Sequence, residues 1–149
     1  MSQNHTPPKM SPIMKNIANP IVRWMAERGI GALGKQLLVL ETRGRRSGKV
    51  YKTPLGPLDE GGALYLIASR GPATDWYRNA LAAGTVTVTR AGRRSPMRVA
   101  AVTDPAEKAT LMQTYQARFP QVQHQFAQAA GSDDPAIIAA RVGILRLQK

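Results

Sequence analysis

The stretch Thr85-Val86-Thr87-Val88-Thr89-Arg90-Ala91-Gly92-Arg93-Arg94-Ser95 decides the fold class. Its first five residues alternate Thr with Val, and such β-branched side chains suit a pleated, half-buried surface. Ala91-Gly92-Arg93-Arg94 turns the chain, and residues 95–102 return as the partner strand of a hairpin. So short a connection pairs strands antiparallel, because a parallel crossover needs a dozen or more residues.

Toward the N-terminus, Gly84 closes a short helix over 75–83 that opens on the acidic Asp75. Arg70-Gly71-Pro72-Ala73-Thr74 is a loop. In residues 63–69, Leu64, Leu66 and Ala68 alternate with Tyr65, Ile67 and Ser69. Both sets are largely apolar, so this strand is expected to be buried on two faces. Asp59-Glu60-Gly61-Gly62 is a hairpin turn with glycines where positive φ is cheap. Residues 50–58 read as one extended segment, placed at an edge or bulge by Pro54 and Pro57. Residues 37–42 are an apolar strand and 43–49 a polar, Gly-containing turn. Asn19-Pro20 starts a short helix with Ile21, Trp24, Met25 and Arg28 at helical spacing. Pro7, Pro8 and Pro12 make residues 1–19 a flexible arm, leaving 20–149 as one domain.

Toward the C-terminus, Asp104-Pro105 with Glu107 starts a helix in which Leu111, Tyr115 and Phe119 share a face. Pro120 breaks it, and a second helical piece covers 121–130. Ser132-Asp133-Asp134-Pro135 caps a third over 135–141. Residues 142–147 are a last strand, with Val142, Ile144 and Arg146 on one face and Leu145 and Leu147 on the other. The total is about six strands and four short helices. An α+β fold is expected: a small, mainly antiparallel barrel with helices over its ends or gaps. The long β-α-β alternation of a doubly wound sheet is absent.

The 149 residues hold 21 Lys+Arg against 9 Asp+Glu, a net charge of +12. That charge calls for an anionic partner: nucleic acid, a membrane surface or a phosphorylated small molecule. Having no cysteine excludes disulfides, thiolate metal sites and Cys nucleophiles. The two histidines, His5 and His124, lie in polar stretches, and no metal is expected. No apolar run approaches the roughly 20 residues that span a bilayer, and residues 1–11 contain no apolar signal core. A cytoplasmic protein is the expectation. Residues 20–29 carry two readings: a helix packed on the domain, or a peripheral membrane contact, since Trp24 sits beside Arg23 and Arg28. There is no Gly-x-Ser-x-Gly elbow and no histidine set for a Ser-His-Asp triad. Asp59 and Glu60 fall in a turn and Asp133 and Asp134 at a cap, which argues against paired-carboxylate chemistry. Any redox chemistry would then belong to an organic cofactor.

Two regions carry candidate chemistry. Arg43, Arg45, Arg46, Lys49 and Lys52 fall within ten residues, the first four of them in Thr42-Arg43-Gly44-Arg45-Arg46-Ser47-Gly48-Lys49. Glycines let backbone N–H groups converge on an anion, arginine forks match phosphate oxygens, and Ser47 adds a donor. The Gly-x-x-x-x-Gly-Lys-Ser/Thr order of a P-loop is missing. A solvated basic turn is the plain alternative, and the same applies to Arg90, Arg93, Arg94 and Arg98. The second region is Ser69-Arg70-Gly71 followed by Asp75-Trp76-Tyr77-Arg78-Asn79. It suits the wall of a pocket for a flat ring, with core packing as the alternative for Trp76.

At these two regions the chain resembles the deazaflavin-dependent nitroreductase family, oxidoreductases that use reduced coenzyme F-420. The matching pieces run in order over residues 38–103: the Thr-Arg-Gly-Arg-Arg-Ser-Gly-Lys turn, Thr53-Pro54-Leu55, the Gly61-Gly62 hairpin, Ala68-Ser69-Arg70-Gly71 and Asp75-Trp76-Tyr77-Arg78-Asn79-Ala80-Leu81. The resemblance implies a split β-barrel and a basic groove for the coenzyme's phosphate and polyglutamate tail, with the deazaflavin preferred to FMN. By position, Arg45, Arg46 and Ser47 would hold the anionic tail. Tyr51, Lys52, Thr53, Pro54 and Leu55 would run beside the deazaflavin. Ile67, Ala68, Ser69 and Arg70 would line its ring and ribityl region, and Asp75, Trp76, Tyr77, Arg78 and Asn79 would close the site. The expected reaction is hydride transfer to an electron-poor small-molecule acceptor: a quinone, a nitro compound or a conjugated carbonyl. Ser69 would orient the acceptor oxygen, with Tyr65 and Tyr77 as further polar groups. The family's His/Asn-Pro before the Trp is replaced by Thr74-Asp75. Val122 and Gln125 stand where nitroimidazole-reducing members carry tyrosines. The competing readings are a basic nucleic-acid-binding module and a non-catalytic deazaflavin-binding relative. For the former, eight aromatics make no stacking series beside the basic turns.

Overall fold

The computed structural model describes residues 37–149, with the side chains of 121–125 left aside. The arm at 1–19, the helix starting at Asn19-Pro20 and the membrane contact at 20–29 lie outside the described residues. The hairpin that opened the sequence reading is β5 (Thr85–Arg90) and β6 (Arg93–Ala101), closed by the pair Arg90↔Arg93. Its turn is only Ala91-Gly92, both at positive φ (50° and 79°), the two-residue geometry whose twist matches the strands. Arg93 and Arg94 therefore belong to the strand and not to the turn.

Around it stand β1 (Leu38–Arg43), β2 (Val50–Leu55), β3 (Leu58–Glu60), β4 (Ala63–Ala68) and β7 (Gly143–Gln148). The seven form one sheet in the order β2-β1-β5-β6-β7-β4-β3, and every pairing is antiparallel. The segment read as one extended stretch over 50–58 is two strands, broken at Gly56-Pro57. That break determines the shape. β2 and β3 are opposite edges of the sheet, yet Leu55 and Leu58 are three Cα steps apart, at most about 11 Å. The sheet must therefore curl until its edges nearly meet, with no ladder between β2 and β3 among the described residues. It is a curled, split barrel, and Pro54 is tolerated because β2 is an edge strand.

Strand alternation sorts side chains into two cores. Inside the curl pack Leu38, Leu40, Leu64, Leu66, Val86, Val88, Leu145 and Leu147. The lid over this core is α1 (Asp75–Ala83), which inserts Tyr77 and Ala80. The Tyr77 ring lies against the backbone of Gly143, where a Cβ would stand 2.7 Å from its Cε2 atom. On the outer face Tyr65 and Ile144, with Ile67 beside them, pack under α2 (Pro105–Arg118), α3 (Pro120–Ala130) and α4 (Pro135–Arg141). The proline-led starts behave as the sequence suggests. Asp104 accepts from the Glu107 N–H at 2.9 Å, and Asp134 from the Ala136 N–H at 3.0 Å. The Glu107 carboxylate does not return to its cap and instead pairs with Arg146.

Candidate functional site

The polar face of the site begins with strand parity. Leu38 and Leu40 point into the barrel, so Thr42 does too. Its cross-strand partner is Tyr51, and Leu40 faces Thr53. Apolar residues fill the interior as far as Leu40, and beyond it the same inward row turns polar. There Thr42, Tyr51 and Thr53 line an open cleft of about 740 Å3. The 43–49 turn contributes Gly44, Arg45, Arg46 and Ser47. The loop before α1 and the helix itself contribute Arg70, Ala73, Thr74, Asp75, Trp76 and Asn79.

The turn is held by its own backbone. The Gly44 N–H donates to the Lys49 carbonyl at 2.7 Å, and the Gly48 N–H to the Gly44 carbonyl at 2.9 Å. Gly48 sits at φ +70°, where a side chain would strain. A Cβ on Gly44 would lie 2.5 Å from Ser47 Oγ and 3.0 Å from the Tyr51 ring. Ser47 Oγ in turn accepts from the Lys49 N–H at 3.2 Å and lies 3.4 Å from the Tyr51 hydroxyl. Gly44 thus leaves room for Ser47 and Tyr51 to meet at the cleft wall.

Arg45 locks this turn to α1. Its N–H and Nη1 both donate to Asn79 Oδ1, at 3.1 and 2.7 Å, and Nη2 approaches Asp75 at 3.4 Å. Asn79 is buried, so this pairing satisfies an oxygen that would otherwise be costly. Arg45 is therefore partly neutralised. Among the described residues neither Arg46 nor Arg70 has an ion-pair partner. Thr74 precedes α1, but its hydroxyl donates to the Gly71 carbonyl at 2.7 Å and does not cap the helix. The first-turn N–H groups of α1 thus carry no side-chain cap, and the positive end of the helix faces the cleft. Asp75 opposes that field and is itself held by Arg45.

Two features fit a bound polyanion with hydrogen-bonding groups along its length. Thr42 lines the cleft, and its hydroxyl is buried with no hydrogen-bond partner among the described residues. Gly44, whose Cβ would collide with Ser47 Oγ and the Tyr51 ring, lets those two hydroxyl groups stand together on the cleft wall. No cluster of acidic, histidine or cysteine residues among the described residues has the makings of a metal site.

Of the residues read from the sequence, the cleft gathers Arg45, Arg46, Ser47, Tyr51, Thr53, Arg70, Asp75, Trp76 and Asn79. Others lie away from it. Lys52 is exposed, and alternation turns it and Pro54 from the inward row. Leu55 and Ala68 belong to the inner core, and Arg78 is exposed on α1. Ile67 packs against the helix-side core. Ser69 is exposed in the turn after β4, next to Arg70 but outside the cleft lining. Tyr65 is on the face opposite the barrel interior, where its hydroxyl accepts from Arg146 Nε at 3.2 Å. Tyr77 is packed in the inner core, and burial pushes its phenol pKa up. Ala73 and Thr74 had no role in that reading, and Thr42 and Gly44 stood in it only as members of the quoted basic turn. Thr42 carried a signal, being a polar residue on the inward row of an apolar strand.

The description "F420H(2)-dependent quinone reductase" matches residues 15–136. The chain belongs to that family. The fold agrees with solved structures. A reductase dependent on reduced F-420, FDR-A, is similar at 19% identity and a TM-score of 0.58, with 76% of this chain and 95% of that one covered. A pyridoxamine 5′-phosphate oxidase candidate from Listeria innocua is similar at 13% identity and a TM-score of 0.53, covering 84% and 87%. The haem-storage protein of Vibrio cholerae is similar at 12% identity and a TM-score of 0.53, covering 87% and 88%. No curated protein is a significant match. At these identities the structures speak for the split barrel alone. Among the described residues, no helix of this family member is long and apolar enough to cross a membrane.

Proposed function

We propose that this protein holds reduced coenzyme F-420 in the cleft and reduces a quinone or another electron-poor small molecule with it. The observation that carries the reading is the pair of guanidinium groups, Arg46 and Arg70, that have no ion-pair partner among the described residues, on a cleft that also receives the N-terminus of α1 without a side-chain cap. A phosphate or glutamate carboxylate on the coenzyme's tail would find its charge-assisted partners there. Arg45, fixed by Asn79, sets the position of the turn. Tyr51 and Thr53 supply the polar wall beyond it, with Thr42 beneath them on the inward row. When bound, the coenzyme supplies the hydride. The protein's part is to hold donor and acceptor together and to stabilise the negative charge that develops on the acceptor oxygen. The exposed Ser69, just past the end of β4, is the group we assign to that oxygen. Tyr65 has no part in it, since its hydroxyl is engaged on the far side of β4. Tyr77 acts by seating α1.

The charge alone would also suit nucleic acid, but a stacking platform has little to build on. Among the described residues Tyr51 is the only exposed aromatic. The test is anaerobic mixing of the protein with reduced F-420 and menadione, followed at the absorbance of the oxidised coenzyme. Protein-dependent oxidation that requires the quinone is expected. No acceleration with menadione or with a nitroaromatic acceptor would refute the proposal.

A further inference from the structure

The loop and the helix that form one wall of the cleft rest on three consecutive residues from a distant part of the chain. At Arg141-Val142-Gly143, α4 ends and β7 begins. Gly71, in the cleft loop, lies against the Arg141 carbonyl: a Cβ there would stand 3.0 Å from the oxygen, and φ is +95°. The loop is also tied to itself. The Gly71 N–H donates to the Ala68 carbonyl at 3.0 Å, and the Gly71 carbonyl accepts from the Thr74 N–H and hydroxyl at 3.2 and 2.7 Å. Two residues after Arg141, Gly143 carries the Tyr77 ring of α1. Val142 stands between these two contacts. Its backbone is extended (φ −88°, ψ 157°), so the helix has ended and no later helical N–H reaches its carbonyl. That carbonyl accepts from Lys108 Nζ at 2.9 Å, and Lys108 reaches it from α2, 34 residues away in sequence. Lys108 is half-buried in the helix-side layer and does not line the cleft.

We infer that Lys108 is a positioning residue for the cleft: by holding the Val142 carbonyl it fixes the junction on which both the 70–74 loop and α1 are seated. The bond runs from an ammonium group to a carbonyl away from bulk water, where a charge-assisted hydrogen bond is strong and an abandoned acceptor is costly. The contacts at Gly71 and Gly143 are made by backbone with no side chain between, so they have little slack to absorb a shift of the junction. A displaced junction therefore moves the loop and the Tyr77 ring together. The loop carries Arg70, and α1 carries the Asn79 oxygen that holds Arg45. The seating itself is a property of the empty protein; only its effect on coenzyme affinity rests on the proposed function.

The test compares Lys108→Met, Lys108→Arg and Phe126→Leu in the whole protein. Phe126→Leu loosens the same layer at α3, where that ring packs on Tyr115 with centroids 5.4 Å apart, and leaves the Lys108 bond alone. Amide hydrogen exchange reads the empty protein at two N–H groups. One is Gly71; the other is Arg45, which donates to Asn79 and so reports the seat of α1. Exchange at both is expected to be at least tenfold faster in Lys108→Met and close to the parent in Lys108→Arg, whose guanidinium still donates to the carbonyl. Phe126→Leu should unfold at lower urea yet exchange as the parent does at these two positions. In a titration of oxidised F-420, the dissociation constant should rise at least fivefold in Lys108→Met alone. Parental exchange in Lys108→Met, equal acceleration in Phe126→Leu or Lys108→Arg, or faster exchange with unchanged coenzyme affinity would each overturn the inference. A parent that binds no coenzyme would refute the proposed function instead, and the exchange rates would still decide the seating.

Discussion

At the residue scale, Thr42 separates the stability of the empty protein from the affinity of the cleft. Its hydroxyl is buried without a partner, which costs roughly 1–3 kcal/mol. Thr42→Val keeps the shape and removes the hydroxyl. The variant should resist urea better than the parent by about 1 kcal/mol or more, and should bind coenzyme F-420 several-fold more weakly. Weaker resistance to urea, or unchanged affinity, would show that the hydroxyl already has a partner or faces no ligand. The two clusters of arginine also part company here. Arg46→Ala should weaken coenzyme binding far more than Arg93→Ala, because Arg46 lines the cleft and Arg93 lies at the other mouth of the curl. Equal losses by fluorescence titration would mean the tail lies elsewhere.

At the scale of elements, the site depends on how α1 is seated. Tyr77 rests on Gly143, so a methyl group on that glycine pushes the ring and the helix outward. Gly143→Ala should cost about 1–3 kcal/mol of stability and weaken coenzyme binding by shifting Asn79 away from Arg45. Adding Tyr77→Leu, which makes room, should recover most of both. Failure to recover would place the strain elsewhere. The helix-side layer makes a prediction in alkali. Burial raises the Tyr115 pKa above its ordinary 10.0, so the folded protein holds that proton more tightly than the unfolded chain. The stability Tyr115 contributes is present below pH 10 and is lost as pH rises past it. Lys108 runs the other way. Desolvation beside the Val142 carbonyl lowers its pKa from 10.5, so its contribution improves as pH climbs toward 10.5. Urea midpoints between pH 9 and 11 should fall less steeply in Tyr115→Phe and rise less in Lys108→Met. Unchanged profiles would contradict these assignments.

At the scale of the whole molecule, the sheet is one nearly closed curl, with the 43–49 basic turn at one mouth and Arg90 and Arg93 at the other. The antiparallel plan was legible in the sequence because two hairpins announced their turns: Ala91-Gly92 and Gly61-Gly62 adopt the positive φ that glycine-rich hairpins need. The closure was not legible. It follows from two residues, Gly56-Pro57, linking opposite edges of the sheet, and nothing in residues 50–58 taken alone says that the segment is two strands. The cleft was legible in part. A run such as 51–55 names a neighbourhood, but alternation sends Tyr51 and Thr53 inward and Lys52 and Pro54 away. The same alternation sends Tyr65 and Ile67 to the helices. Arg45 was legible as a cation but not as a lock, because Asn79 lies 34 residues along and meets it only in the fold.

The central claim is that the cleft built from the 43–49 turn and the start of α1 holds the deazaflavin coenzyme by its anionic tail. The most direct measurement is a fluorescence titration of oxidised F-420 with the protein and with Arg46→Ala, at low and at moderate salt. Saturable binding to the parent that weakens with salt and falls at least tenfold in Arg46→Ala is the predicted result. No binding to the parent, or equal binding to the variant, would contradict it.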